Sequence, residues 1–394
     1  MADRDALEAA ASAGVINAEQ IGPLQDFLAS RVAGVASAPS GEEDLRFIRN
    51  FHDVFLAIGI VLLAIGLAVG VTVYITSAGI ENPQAGAITT GGLFAACGAV
   101  MWALGEVFAR RRRLFLPAIA IVLSLTGFMI VATALLYAGI LVGTGFDGSG
   151  LDWSRMPPEL RWGILLAMAM GFFAPFAFYL RFRLPFSLGL TGAGLAAFIV
   201  VAAMIANLDL TVQYLPLLSL VLGIMLFIAA VAFDARDPAR TTRFSDNGFW
   251  LHFAAAPLIL NGTFGLIGMA FGNTIAAGGG TGALIQSAAT DQGLATAHAA
   301  LTLVVVALLG VVSLLINRRV LIVSTLITTG VAIGVLMNAV GLGAGGLAAS
   351  TLIVLGAFVL ILGGSWHTVR RALLGWVKPG GAWARIFPPE NLAT

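Results

Sequence analysis

The sequence predicts an all-α fold: a polytopic membrane helix bundle of about ten transmembrane helices with both termini cytoplasmic. Three observations carry this expectation. Hydrophobic residues make up 59% of the chain and charged residues 10%, with a mean hydropathy of +0.97, far from the soluble average. Ten apolar runs approach the roughly 20 residues that a helix rising about 1.5 Å per residue needs to cross a ~30 Å hydrocarbon core. The 21 Lys and Arg fall almost entirely in every second gap between those runs, the asymmetry that keeps basic loops on the cytoplasmic side.

Residues 1–41 read as a cytoplasmic helical hairpin and linker. Leu7, Ala10 and Ala11 recur at helical spacing before Gly14. Asn17 then opens a second helix with Gln20 three places on, the spacing of a capping box, and Ile21, Leu24 and Leu28 share its apolar face. Two helices this short are not stable alone, so the hairpin is expected to dock on the membrane domain or on a protein partner. The stretch 33–41, AGVASAPSG, has linker composition. The first 50 residues lack an early apolar core, so no cleavable signal is expected and the first span serves as the insertion signal.

The transmembrane domain, residues 42–366, is expected to span at 51–76, 87–109, 114–142, 159–180, 184–206, 211–233, 247–272, 294–317, 320–340 and 346–366. Arg46 and Arg49 precede the first span, Arg110 to Arg113 join spans 2 and 3, and Arg181 and Arg183 join 4 and 5. Arg236, Arg240 and Arg243 follow span 6, and Arg318 and Arg319 separate 8 from 9. The intervening gaps carry Glu81, Asp147, Asp152, Asp209 and Asp291, and only Arg155 and Arg161 break the pattern. Losing one span would invert every later assignment, so charge and hydropathy check one another.

Residues 367–394 form a cytoplasmic tail whose mixture of Trp, Leu and Arg suits an interfacial amphipathic helix. Arg370, Arg371 and Lys378 are expected near anionic headgroups, with Trp376 at the acyl boundary. The segment 273–292 is long, nearly chargeless and Gly-rich, either an exposed loop or a re-entrant one. No Lys-Ser or Lys-Thr follows its glycines, so it is no phosphate loop. Arg113-Leu114…Pro117, Arg183-Leu184-Pro185 and Arg319-Val320 hint at repeated hairpins, although the charge rule alone accounts for them.

Topology absorbs the basic residues and the net charge is +1, so no nucleic-acid partner is implied; the expected partners are the lipid bilayer, a small solute and a protein met through residues 1–41. Cys97 stands alone, so no disulfide or cysteine metal site arises, and no cofactor fingerprint or metal spacing is visible. Polar residues inside spans are the places to look for function, because unpaired they cost several kcal/mol in hydrocarbon. Asn261, Thr263, His298, Thr302 and Asn338 form an outer layer, and Asn261, Thr263, His298 and Asn338 are the ligand-binding candidates. Pro257 frees a carbonyl in the same helix as Asn261, which favours a solute site there. Helix-to-helix hydrogen bonding is the structural alternative for Asn261 and Thr263. His52, Asp53, Glu106, Asp234 and His252 form an inner layer. Glu106 can pair with Arg110 and Asp53 with Arg49, whereas His52, Asp53 and His252 are the nearest approach to a catalytic acid/base set. No second histidine or carboxylate follows His252 or His298 at helical spacing, so a one-helix zinc site is unsupported.

LEAAASAGVINAEQ near the N-terminus, DLRFIRNFHDVFLAIGIVLL leading into span 1, DNGFWLHFAAAPLI at span 7 and the RRALLGW…FPPE tail resemble a family of uncharacterised bacterial polytopic inner-membrane proteins, a domain of unknown function with a short N-terminal helical region. The resemblance covers most of the chain. It implies a bacterial inner-membrane location and an all-helical fold, with no activity or catalytic residue to carry over.

A transporter or channel for a small neutral or weakly polar solute is the leading expectation. The scarcity of carboxylates within the spans argues against a strongly driven ion pump. A membrane scaffold or regulator of envelope processes is the first alternative, and an intramembrane lipid-modifying enzyme the second.

Overall fold

The computed structural model describes residues 7–8, 11–27, 51–145, 157–237, 242–270, 292–318, 320–339 and 344–377. Among the described residues every regular element is a helix. Ten are long: α1 (Phe51–Ser77), α2 (Pro83–Gly105), α3 (Phe115–Gly143), α4 (Pro158–Phe182), α5 (Pro185–Ala206), α6 (Leu208–Asp234), α7 (Arg243–Ala270), α8 (Gln292–Ile316), α9 (Val320–Ala339) and α10 (Ala344–Gly364). The shorter α11 (Trp366–Val377) follows. Eight helices, α1 to α8, contain stretches long and apolar enough to cross a membrane, which marks an integral multi-pass protein.

Local chemistry sets the helix boundaries. Asn82 caps α2, its side chain accepting from the N–H groups of Gln84 and Ala85 at 2.9 and 3.2 Å, and Asn207 caps α6 through Leu210 N–H at 3.0 Å. Pro83, Pro158 and Pro185 occupy first helical positions, where a missing N–H costs nothing. Near the N-terminus, Gln20 Oε1 accepts the Asn17 N–H at 2.9 Å, the reciprocal half of the capping box.

Neighbours in sequence pack as hairpins: α2 on α3, α4 on α5, α6 on α7 and α8 on α9. Contacts of α3 with α4 and of α5 with α7 join them, and α1 lies against α3 and α2. Glycines permit the closest crossings. A Cβ at Gly194 would lie 2.2 Å from the Gly171 carbonyl oxygen, and one at Gly262 would lie 2.5 Å from the Leu220 nitrogen. Met101, Ile121, Val122 and Phe178 are fully buried between α2, α3 and α4. Phe55, Leu62, Ile65 and Val69 of α1 are exposed, the surface a lipid-facing helix presents.

Two inter-helix junctions share one conformation. Arg113 (φ 53°) and Arg183 (φ 55°) are both left-handed, and each is followed by an extended leucine, Leu114 or Leu184, after which α3 or α5 begins. Asn317 (φ 55°) takes the same left-handed form after α8, whereas Arg319 lies outside the described residues. Arg370 departs from the headgroup position expected for it. It is buried, and its Nε donates at 3.0 Å to the Leu314 carbonyl, which also accepts the Asn317 N–H at 3.2 Å, at the C-terminal end of α8 where carbonyls attract a cation.

Candidate functional site

The arginine-bearing junctions converge at one end of the bundle. A π-helical turn, Glu106–Arg111, widens the end of α2. There Glu106 accepts from Arg110 Nη1 at 3.1 Å and from Arg181 Nε of α4 at 2.7 Å. Asn247 of α7 donates to the Tyr179 hydroxyl of α4 at 2.9 Å.

A buried ion cluster lies at this end. Asp234, the last residue of α6, accepts two bonds from Arg318: Nε to Oδ2 at 3.0 Å, and Nη2 to Oδ1. His252 Nε2 stands 3.1 Å from Asp234 Oδ2. Arg318 Nη2 also donates to the Ser245 carbonyl and hydroxyl oxygens at 2.9 and 3.0 Å. Arg318 is 2% exposed and His252 0%, with the Phe227 ring edge-on to the imidazole at 4.9 Å between centroids.

Each element contributes for a local reason. Left-handed Asn317 ends α8, so that the Arg318 N–H bonds to the Ser313 carbonyl at 2.8 Å and the Arg318 carbonyl accepts the Ser313 hydroxyl. Gly248 leaves room for the carboxylate, since a Cβ there would lie 2.1 Å from Asp234 Oδ1. Burying two charges costs several kcal/mol per ion, offset only when geometry and remaining hydrogen bonds are good. The two-pronged Arg–carboxylate pairing supplies that geometry. With the imidazole neutral, Asp234 and Arg318 sum to zero charge, and a proton taken up by His252 makes the cluster cationic. The bonds connect residues 18, 73 and 84 apart in sequence, so the cluster ties the α6–α7 junction to the end of α8.

The other expected site residues are dispersed. His52 is exposed and Asp53 buried at the start of α1, which packs on α2 and α3, whereas His252 of α7 faces Phe227 and Asp234 of α6. Arg49 lies outside the described residues. Asn261 is exposed, on the same stripe of α7 as Phe253 and Pro257, and the Thr263 hydroxyl donates to the Ile259 carbonyl of its own helix at 2.7 Å. Thr302 is fully buried in α8. The side chains of His298 and Asn338, like the Gly-rich segment 273–291, lie outside the described residues. Among the described residues no three His, Cys, Asp or Glu side chains gather as metal ligands.

Arg318 is the member of this cluster that the sequence did not single out, because its position in a basic gap made topology a sufficient explanation. One signal was present: Asp234 closes an apolar run and requires a cation. No family model, curated protein or solved structure matches the chain.

Proposed function

We propose that this protein threads a bacterial inner membrane ten times with both termini in the cytoplasm, and carries a small neutral or weakly polar solute across it. In this reading the Asp234–His252–Arg318 cluster closes the cytoplasmic end of the path between α6, α7 and α8. One observation carries the proposal: a buried ion cluster assembled from separate hairpins. Ionisable groups inside a membrane domain characteristically line or gate pathways. Such a cluster has two discrete arrangements, closed when the three side chains bond and open when water replaces those bonds. The convergence of the basic junctions on one end is consistent with the proposed threading. An arginine neutralises Asp234, which suits an uncharged cargo better than a driven cation. A lipid-modifying enzyme is less well supported, since its acid and base would have to be open to headgroups and His252 is fully buried.

The test begins with purified protein in detergent, its thermal unfolding screened against ions, metabolites and lipids, because a ligand of the folded state raises the midpoint. A soluble hit is then followed as flux into proteoliposomes. The expected outcome is solute uptake by the wild type, with altered gating in Arg318→Met. Absence of both hit and flux would favour the scaffold reading, in which truncation of residues 1–41 abolishes function.

A further inference from the structure

A second feature of the basic end stands apart from the ion cluster. A cavity of about 160 Å³ opens where the α2–α3 and α4–α5 junctions meet the start of α7. Its polar lining is Arg113, Arg183, Arg243 and Asp246, and Phe115 and Phe182 contribute to its apolar wall. Each arginine comes from a different junction. The left-handed backbone shared by Arg113 and Arg183 places them at equivalent points of two hairpins, and that conformation is unfavourable for a non-glycine residue. Arg113, Arg183 and Arg243 are exposed and outnumber the single Asp246 carboxylate, so the hollow presents an excess of positive charge that an anion would balance.

We propose that this cavity binds a phosphate monoanion, and specifically the phosphodiester headgroup of an acidic membrane lipid. Three observations narrow the ligand. With three arginines and one aspartate the lining sums to +2, which matches a monoanionic diester better than a polyphosphate. Its volume of about 160 Å³ is room for a phosphate with its ester oxygens. The apolar wall lies where α4 ends and α3 and α5 begin, and its Phe115 and Phe182 are half-buried, so part of each ring is accessible. A free anion gains nothing from that wall, whereas a glycerol ester with acyl chains covers it. Basic hollows between helices at the cytoplasmic face are where acidic headgroups bind. The proposal does not depend on transport, because a scaffold would hold the same lipid.

The experiment uses the full chain in neutral detergent, with phosphatidylglycerol, phosphatidylcholine or inorganic phosphate as probe. Native mass spectrometry reads retained lipid and thermal unfolding reads stabilisation. Wild type is expected to retain phosphatidylglycerol over phosphatidylcholine. The double variant Arg113→Asn/Arg183→Asn should weaken that retention by about tenfold or more. Asparagine tolerates the left-handed backbone, so the junctions keep their shape. Arg112→Asn/Arg236→Asn, which removes the same charge from exposed positions outside the cavity, should retain the lipid like wild type. If the cavity double variant fails to fold, Arg243→Gln makes the same test without touching either left-handed residue. Equal retention of both lipids, or undiminished retention by the cavity variants, overturns the proposal. Stabilisation by inorganic phosphate alone, lost in the same variants, overturns the lipid source and assigns the site to free phosphate.

Discussion

Where α2 meets α3, α4 meets α5 and α6 meets α7, side chains bond across helices: Glu106 to Arg181, Asn247 to Tyr179, and Asp234 to both His252 and Arg318. At the opposite end, several of the described polar side chains bond within their own helix or cap it. Asn82 and Asn207 cap α2 and α6, the Thr144 hydroxyl donates to the Leu141 carbonyl at 2.6 Å, and the Tyr137 hydroxyl reaches another helix, donating to the Glu159 carbonyl of α4 at 2.7 Å. Polar bonds between helices fix their relative positions, whereas caps fix only where a helix begins. Among the described residues the basic end is therefore the one held by charged bonds between helices.

The largest effect should follow from unpairing the buried charge. Arg318→Met leaves Asp234 enclosed with His252 alone and should cost about 3–5 kcal/mol, read by denaturant or thermal unfolding in detergent. Asp234→Asn combined with Arg318→Met should lose less than either change alone, since no unpaired charge remains. If Arg318→Met is neutral, the basic end is not locked by this cluster and the comparison between ends fails.

The next effect is steric and sharpens the same contrast. Gly248→Ala drives a methyl against Asp234 Oδ1 and should cost about 1–3 kcal/mol, whereas Gly66→Ala in α1, with no atom within 4 Å of its Cβ, should lose nothing. At the opposite end, Asn82→Ala removes a cap and should cost about 1 kcal/mol without altering lipid or solute binding. A larger loss from Asn82→Ala than from Gly248→Ala would reverse the assignment of the locked end.

The helices were largely legible in the sequence, and the side-chain arrangement was not. The apolar runs foretold the long helices to within a few residues, because backbone satisfaction in lipid leaves little else for an apolar run to do. The pairing of Glu106 with Arg110 was readable as a one-turn spacing. Its bond to Arg181 was not, because it depends on the packing of two hairpins. Hydropathy gives depth and not direction around the helix axis. Asn261 shows the consequence: it lies within an apolar span, yet it is exposed on one stripe of α7 with Phe253 and Pro257. The four-residue spacing of those three positions was visible beforehand.

Glu106 supplies the smallest prediction and the finest test of what locks the basic end. Its carboxylate bonds to Arg110 and Arg181 as the cluster's carboxylate bonds to Arg318, so a simple tally of ion pairs would rank the two alike. Exposure separates them: Arg110 and Arg181 remain open to solvent, where water and salt replace a lost partner, while Arg318 is enclosed. Glu106→Gln should therefore leave the unfolding midpoint nearly unchanged at high salt, with at most a small loss at low salt. A loss comparable to that of Arg318→Met would mean that the number of bonds across the junctions, and not their burial, holds this end closed.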